Sequence, residues 1–486
     1  MHRRYLLSLF SILLFGVTLV SGQRQDGDMV ARLRAEGLQR SRTLTLYRTL
    51  TDEIGARLTG SPAHMQAARW AVERFKEWGL ANPHLEPFEF GRGWQLERVS
   101  AEMTEPRYQP LIAYPEAWSP STAGVLSGRP VYVGDKTSAQ IQAMAAQLKG
   151  AIVLTHLPQT EFVAGDRPQP GLDDRPVATG NPSLAQARST TPNNELMTLL
   201  RGAGAAVALR PSAYRDGTVG VTGNRATPSD AVPSMVVAGE QYNVLVRLAA
   251  QGRPVSLRVE LRTRSFEEDR NSHNVIAEIP GQDPALRDQI VLVGAHLDSW
   301  HTASGATDNA DGVVAVMEAM RLLRALGAAP RRTIRVALWS GEEQGLLGAR
   351  AYLAQHFNTP AARDQLAVYL NDDPGSGKTL GFYMEGNRAA KALFDSWLEP
   401  LKELGATRNV IERIGSTDHV PFNEAGLPGF NVIKDFDAYD ERTRHTNADH
   451  PERMSEDELK QSAVFMATFA WQAAMADEKI PRSAAK

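Results

Sequence analysis

His296 closes the string Gly294-Ala295-His296, and Asp308 sits in Gly305-Ala306-Thr307-Asp308-Asn309. Glu342 and Glu343 are neighbours in Ser340-Gly341-Glu342-Glu343, Asp373 ends Asn371-Asp372-Asp373, and His445 lies in Arg444-His445-Thr446-Asn447-Ala448-Asp449. Imidazole nitrogen and carboxylate oxygen are ligands for borderline cations such as Zn²⁺, and two His and three carboxylates with a Glu to spare suit two such ions. Asp298, two residues beyond His296, can accept the second imidazole N–H on its carboxylate and fix the tautomer of a metal-bound ring. The small residues around Asp308 let its carboxylate be presented to two ions at once. Glu342 and Glu343 cannot point the same way, so one can bind metal while the other takes a proton from water, a division that metal-assisted hydrolysis needs. Taken singly, each residue is more simply read as a satisfied polar group, and a Glu pair also suits the start of a solvated helix. Their succession along one set of strand ends is what favours a site.

The elements that must position these side chains read as strand, loop and helix in repeated order after about residue 266, the mark of an α/β domain. Ile290-Val291-Leu292-Val293 is an apolar run of buried-strand type, and Thr333 to Trp339, Leu366 to Leu370 and Gly429 to Ile433 follow it. In open α/β sheets, sites form at the carboxyl ends of strands, which is where the candidate residues fall. Val313, Val316, Met317, Met320 and Leu323 recur at helical spacing, and Ser455 with Glu458 is a capping-box signal for a last helix. Upstream, Ser61 and Pro62 mark the start of a helix over 63–78 that Gly79 stops. Between about 110 and 265, short β-branched runs separated by Gly and Pro predict a compact β-rich unit.

Composition narrows the function classes. The 486 residues are 42% hydrophobic and 22% charged, ordinary globular usage for more than one folded unit. A formal net charge of -3, without long like-charge runs, gives no electrostatic footprint for nucleic acid. With no cysteine, disulfides, Cys-ligated metals and thiol nucleophiles are excluded. Arg3-Arg4, the apolar stretch Tyr5 to Val20 and then Ser21-Gly22 form a secretory signal pattern, so residues 1–22 are expected to be a signal peptide and the mature protein to be secreted or periplasmic, with no membrane association after cleavage. The alternative is an uncleaved N-terminal anchor. Gly375-Ser376-Gly377-Lys378-Thr379 is not a phosphate loop, since position 372, where the pattern needs Gly, is Asp. There is no His-Glu-x-x-His and no Gly-x-Ser-x-Gly.

The strings Gly294-Ala295-His296-Leu297-Asp298-Ser299, Gly305-Ala306-Thr307-Asp308-Asn309, Ser340-Gly341-Glu342-Glu343-Gln344-Gly345, Asp418-His419-Val420-Pro421-Phe422 and His445-Thr446 resemble metallopeptidase family 28, the co-catalytic zinc exopeptidases, and occur in that family's order. Trp300 and the segment before the catalytic part look most like its glutamate carboxypeptidase branch in plasma. The resemblance implies a zinc exopeptidase α/β/α sandwich with a mixed central sheet and an inserted β-rich protease-associated domain. It implies that Asp308 bridges two Zn²⁺, that His296 and Asp373 complete one site, and that Glu343 and His445 complete the other. Glu342 would be the general base and Asp298 the partner of His296. The domain limits expected are 23–108 and 267–486 for the peptidase part, with 109–266 inserted. His301 departs from the family, whose members tend to carry an acid there, and Asp418-His419 would shape the pocket floor. Glutaminyl cyclase and a noncatalytic receptor-like homologue are the rivals.

The expected partners are short peptides, and the chain could pair into a homodimer. Around the candidate ligands Asp372, Asp418, Asp435, Asp437, Asp440 and Glu441 outnumber Lys434, Arg442 and Arg444. That excess favours holding a substrate ammonium, hence an aminopeptidase or dipeptidase, with a carboxypeptidase as the alternative.

Overall fold

The computed structural model describes residues 28–171, 194–373 and 375–482. The signal peptide expected over 1–22 lies outside the described residues. A seven-stranded mixed sheet runs in the order Ala81–Glu89, Asn271–Ile279, Thr333–Trp339, Ile290–His296, Leu366–Asn371, Gly429–Lys434, Thr379–Tyr383. Its four central strands are parallel and the outer ones antiparallel. The central strands are the runs the sequence marked, because a strand covered on both faces is apolar throughout. Every residue of Ile290–His296 is buried.

Alternation along that strand feeds two cores. Val291, Val293 and Ala295 pack with the helices Pro62–Glu77, Asp311–Ala325 and Glu456–Met475, while Ile290 and Leu292 pack with Tyr352 of Leu347–His356 and Phe422 of Val420–Glu424. Helices thus cover both faces, giving the three-layered α/β/α arrangement. The helix starts are set locally: Ser61 accepts a hydrogen bond from the backbone of His64 with Pro62 at the first position, and Ser455 and Glu458 form a reciprocal capping box.

Residues 93–266 build two further sheets. Gly93–Glu105 and Ser256–Phe266 pair along their length in a four-stranded antiparallel sheet, and Ala113–Pro115, Ser234–Val237, Val207–Pro211, Ile152–Leu154 and Val131–Tyr132 make a five-stranded one. Met103, Leu257 and Leu261 from the first share a core with Leu154, Leu209 and Met235 from the second. The helices Ser138–Ala143, Asn194–Ala203 and Gly239–Ala250 flank these strands and were not expected. Thr137 and Gln140 form a capping box that announces the first of them.

Register then sets the site. His296 lies opposite Trp339, and Gly294 lies opposite Asn371, so three parallel strands end level with one another and deliver His296, Glu342-Glu343 and Asp373 to one edge. The helix Asp311–Ala325 must approach the end of Leu366–Asn371 closely; a Cβ at Gly312 would collide with Asn309 and with the carbonyl of Asp372. Removing the hydroxyl that caps the last helix, in Ser455→Ala, is expected to lower stability by about 0.5–2 kcal/mol. A urea midpoint identical to that of the parent protein would show that the cap contributes nothing.

Candidate metal centre

His296, at a strand terminus, presents Nε2 to Asp308 Oδ1 at 3.2 Å and to Asp373 Oδ1 at 3.4 Å. His445 presents Nε2 to the other Asp308 oxygen, Oδ2, at 3.3 Å and to Glu343 Oε2 at 3.0 Å. The ligand-type atoms of His296, Asp308 and Asp373 form one compact group, and those of Asp308, Glu343 and His445 form a second. Asp308 is common to both.

These groups are short of positive charge. The Nδ1–H of His296 donates to the backbone carbonyl of Asp298 at 3.0 Å, which leaves the Nε2 lone pair aimed at two carboxylate oxygens. His296 Nε2, Glu343 Oε1 and Asp373 Oδ1 are buried without hydrogen-bond partners. Acceptors facing acceptors in a dry pocket require a proton or a cation between them. Burial lowers the basicity of His296, yet Asp373, Glu342 and Asp308 outweigh it and hold the ring well above its ordinary pKa. Nitrogen and oxygen donors without thiolate, unpaired and converging from two sides of one carboxylate, fit Zn²⁺.

Positioning begins with Asp308. Burial works to raise its carboxyl, but His296 and His445 hold it well below the usual carboxylate range. Tyr439, fully buried, donates its hydroxyl to Asp308 Oδ2 at 2.9 Å. Asp449 accepts from the backbone N–H of Thr307 at 2.7 Å, from the Thr307 hydroxyl at 2.8 Å and from the backbone N–H of Asp308 at 3.2 Å. Burial pushes the Asp449 carboxyl up to about 7. The loop between His296 and Asp308 is tied down by Arg57, whose buried guanidinium donates to the carbonyls of Leu297 at 2.9 Å, Ser304 at 2.7 Å and Gly305 at 2.9 Å.

Asp298 contacts His296 differently from expectation. Its carboxylate stands 3.8 Å from Nδ1 and instead accepts from the Thr59 hydroxyl at 2.9 Å, from Glu342 N at 3.2 Å and from Glu343 N at 3.3 Å. The main-chain carbonyl orients the imidazole, and the side chain is used to hold the Glu342-Glu343 turn. Trp300 Nε1 donates to Glu343 Oε2 at 2.7 Å, which aims that carboxylate at His445. Glu342 faces the same cavity but belongs to neither ligand group.

Neighbouring residues take other parts. Asp372 pairs with the buried ammonium of Lys434 at 3.0 Å, leaving Asp373 to the ligand group. Asp418 is fully buried, and His419 lies 3.2 Å from Glu385. His301 is half-buried with Nε2 2.8 Å from the Pro115 carbonyl, and burial lowers its pKa to about 4. The cavity over the centre measures about 370 Å³ and is lined by Arg167, Asp308, Glu342, Glu343, Arg350, Asp373, Tyr439, Arg444 and His445, among others. None of the six acids counted for an ammonium site lines it; of the three cations weighed against them, Arg444 does. Sequence reasoning missed Arg57, Thr59 and Tyr439, whose partners lie far away in the chain.

Comparisons with known proteins point to a family of peptidases. Residues 274–470 match the profile of peptidase family M28. The chain is 26% identical to mouse (Mus musculus) carboxypeptidase Q over 460 residues, covering 93% of this chain and 90% of the relative. A peptidase M28 precursor from Shewanella amazonensis superposes with a TM-score of 0.72 at 24% identity, covering 95% of this chain and 100% of the other. A zinc aminopeptidase from Bacillus subtilis gives a TM-score of 0.57 at 20% identity, with 88% and 94% covered.

Replacing the hydroxyl that fixes Asp308, in Tyr439→Phe, is expected to weaken zinc binding about 10- to 100-fold while leaving the fold intact. Competition against a chelator of known affinity measures this. Unchanged affinity would mean that the hydroxyl does not orient the carboxylate.

Proposed function

We propose that this chain, whose residues 274–470 match peptidase family M28, is a two-zinc exopeptidase that hydrolyses short peptides, of aminopeptidase or dipeptidase type. The observation that carries this reading is the pair of ligand groups sharing Asp308, with Glu342 beside them and outside both. His296 and Asp373 would hold one ion with Asp308, and Glu343 and His445 would hold the other. Bound zinc supplies a Lewis acid for the scissile carbonyl and makes water acidic enough to lose a proton near neutral pH.

Glu342 is the residue that moves that proton. Burial, reinforced by the carboxylates of Asp373, Asp418 and Glu343 and opposed by His296, holds its carboxyl well above the ordinary carboxylate range. A carboxylate biased in this way accepts a proton readily, and it returns the proton to the departing amine. Asp298 keeps Glu342 in place by accepting its backbone N–H and that of Glu343. A cavity of about 370 Å³ is at the small end of the ~300–1,000 Å³ range of small-ligand sites, which suits a short peptide over a folded chain.

A carboxypeptidase is the second reading, favoured by the name of the mouse relative. In either case we take 23–108 and 267–486 as one peptidase domain with 109–266 inserted as a protease-associated domain. We also take the chain to be exported by its N-terminal signal. Among the described residues no helix is long and apolar enough to cross a membrane.

Glu342→Gln should keep its zinc and lose kcat by a factor of ~10² to 10⁴, the contribution of a general base. Metal analysis beside a dipeptide assay reads both. If the zinc is lost with Glu342→Gln and retained with Glu343→Gln, the two glutamates have exchanged roles.

A further inference from the structure

Three arginines, Arg167, Arg350 and Arg444, line the cavity. Two of them are engaged. Arg167 grips Asp440 with Nε and Nη2 both at 2.6 Å and lies over the Phe436 ring, 4.7 Å from its centroid. Arg350 pairs with Glu424 at 2.9 Å in a half-exposed bridge at the protein surface. Among the described residues the Arg444 guanidinium makes no hydrogen-bonded ion pair, although Asp440, Asp308 and Tyr439 act on its charge from nearby. Its backbone is held, since its N–H donates to the Tyr439 carbonyl at 2.9 Å and its carbonyl faces the Tyr214 hydroxyl at 3.4 Å. The side chain therefore starts from a fixed point.

The acids of the cavity are all committed. Asp308, Glu343 and Asp373 belong to the ligand groups and Glu342 is the proposed base. Among the described residues the wall shows no carboxylate outside these roles, and Arg444 offers a fork of N–H donors to which no carboxylate is hydrogen-bonded. Such a fork matches a carboxylate in two parallel hydrogen bonds. Arg444 and His445 are chain neighbours and both line the cavity, and an extended peptide advances only about 3.3–3.6 Å per residue. A carboxylate on Arg444 thus belongs to a residue close to the scissile bond.

We propose that Arg444 is the specificity-determining residue of this site and binds a carboxylate of the substrate, either the free C-terminal carboxylate of a dipeptide or an acidic side chain next to the scissile bond. The inference rests on the exopeptidase reading and narrows it, favouring a dipeptidase or carboxypeptidase over an aminopeptidase indifferent to the C-terminus.

The test compares a dipeptide with a free C-terminus, the same dipeptide amidated, and an amidated dipeptide ending in Glu. Wild-type enzyme should prefer the free acid to its amide by about 10-fold to 10²-fold in kcat/KM, chiefly through KM. Arg444→Ala should bring that ratio to within about 3-fold of unity, and Arg444→Lys, which keeps the charge and loses the fork, should fall between. If the amidated Glu dipeptide recovers the lost rate in the wild type but not in Arg444→Ala, the side chain is the source of the carboxylate. Calorimetric titration of the zinc-loaded proteins with leucine and with leucinamide reads the same discrimination without turnover. Equal rates on all three peptides in the wild type overturn the proposal. So does a preference that persists in Arg444→Ala with zinc content and melting temperature retained. Hydrolysis of no peptide, free or blocked, would defeat the exopeptidase reading instead, and a preference for leucine over leucinamide that disappears in Arg444→Ala would still report on Arg444.

Discussion

The carboxylate of Asp308 stands between two imidazoles, 3.2 Å from His296 on one oxygen and 3.3 Å from His445 on the other. Much of the surrounding structure keeps it there. Its backbone N–H is held by Asp449, Oδ2 by Tyr439, and the loop that leads to it by the buried guanidinium of Arg57. A group fixed on both oxygens and on its own main chain cannot turn away from the acids beside it. Burying so many acceptors together is unfavourable unless a cation joins them. The site is therefore preorganised for metal, and the same arrangement lowers stability without it.

The segment 109–266 takes part in this. His445 has φ of 57°, a left-handed conformation costing about 1–3 kcal/mol for a residue with a side chain. Val221 donates its N–H to the His445 carbonyl at 3.0 Å, Gly220 pairs with Thr446, and Val219 exchanges hydrogen bonds with Asn447. Asp166 accepts from the Glu441 backbone at 3.0 Å while Arg167 grips Asp440. The loop carrying both Tyr439 and His445 is thus pinned from a part of the chain that supplies no ligand. Residues that perform no chemistry offset the cost of an imidazole held in an unfavourable backbone state.

The sequence made the central strands and the ligand types legible for one physical reason: a parallel strand covered on both faces must be apolar, and polar residues that interrupt the pattern at its end stand out. Ala81–Glu89 and Asn271–Ile279 carried no such signal. The first contains Pro83 and Pro87, which only an edge strand tolerates, and the second mixes Asn and His with its apolar residues. Arg57 and Thr59 act on loops more than 230 residues away, and contact across that separation leaves no local pattern. Counting charges near the ligands pointed to an ammonium site because proximity in sequence stood in for proximity in space. Burial removed Asp372 and Asp418 from the cavity, Asp440 is paired with Arg167, and of the charges counted only Arg444 lines the wall.

Zinc stoichiometry across single variants tests the sharing of Asp308 most directly. The parent protein should carry about two ions per chain, Asp373→Ala and His445→Ala about one each, and Asp308→Ala close to none, because both ions lose a ligand at once. An Asp308→Ala protein that still holds one ion as tightly as the parent would contradict the bridging role, and with it the dependence of both ligand groups on a single carboxylate.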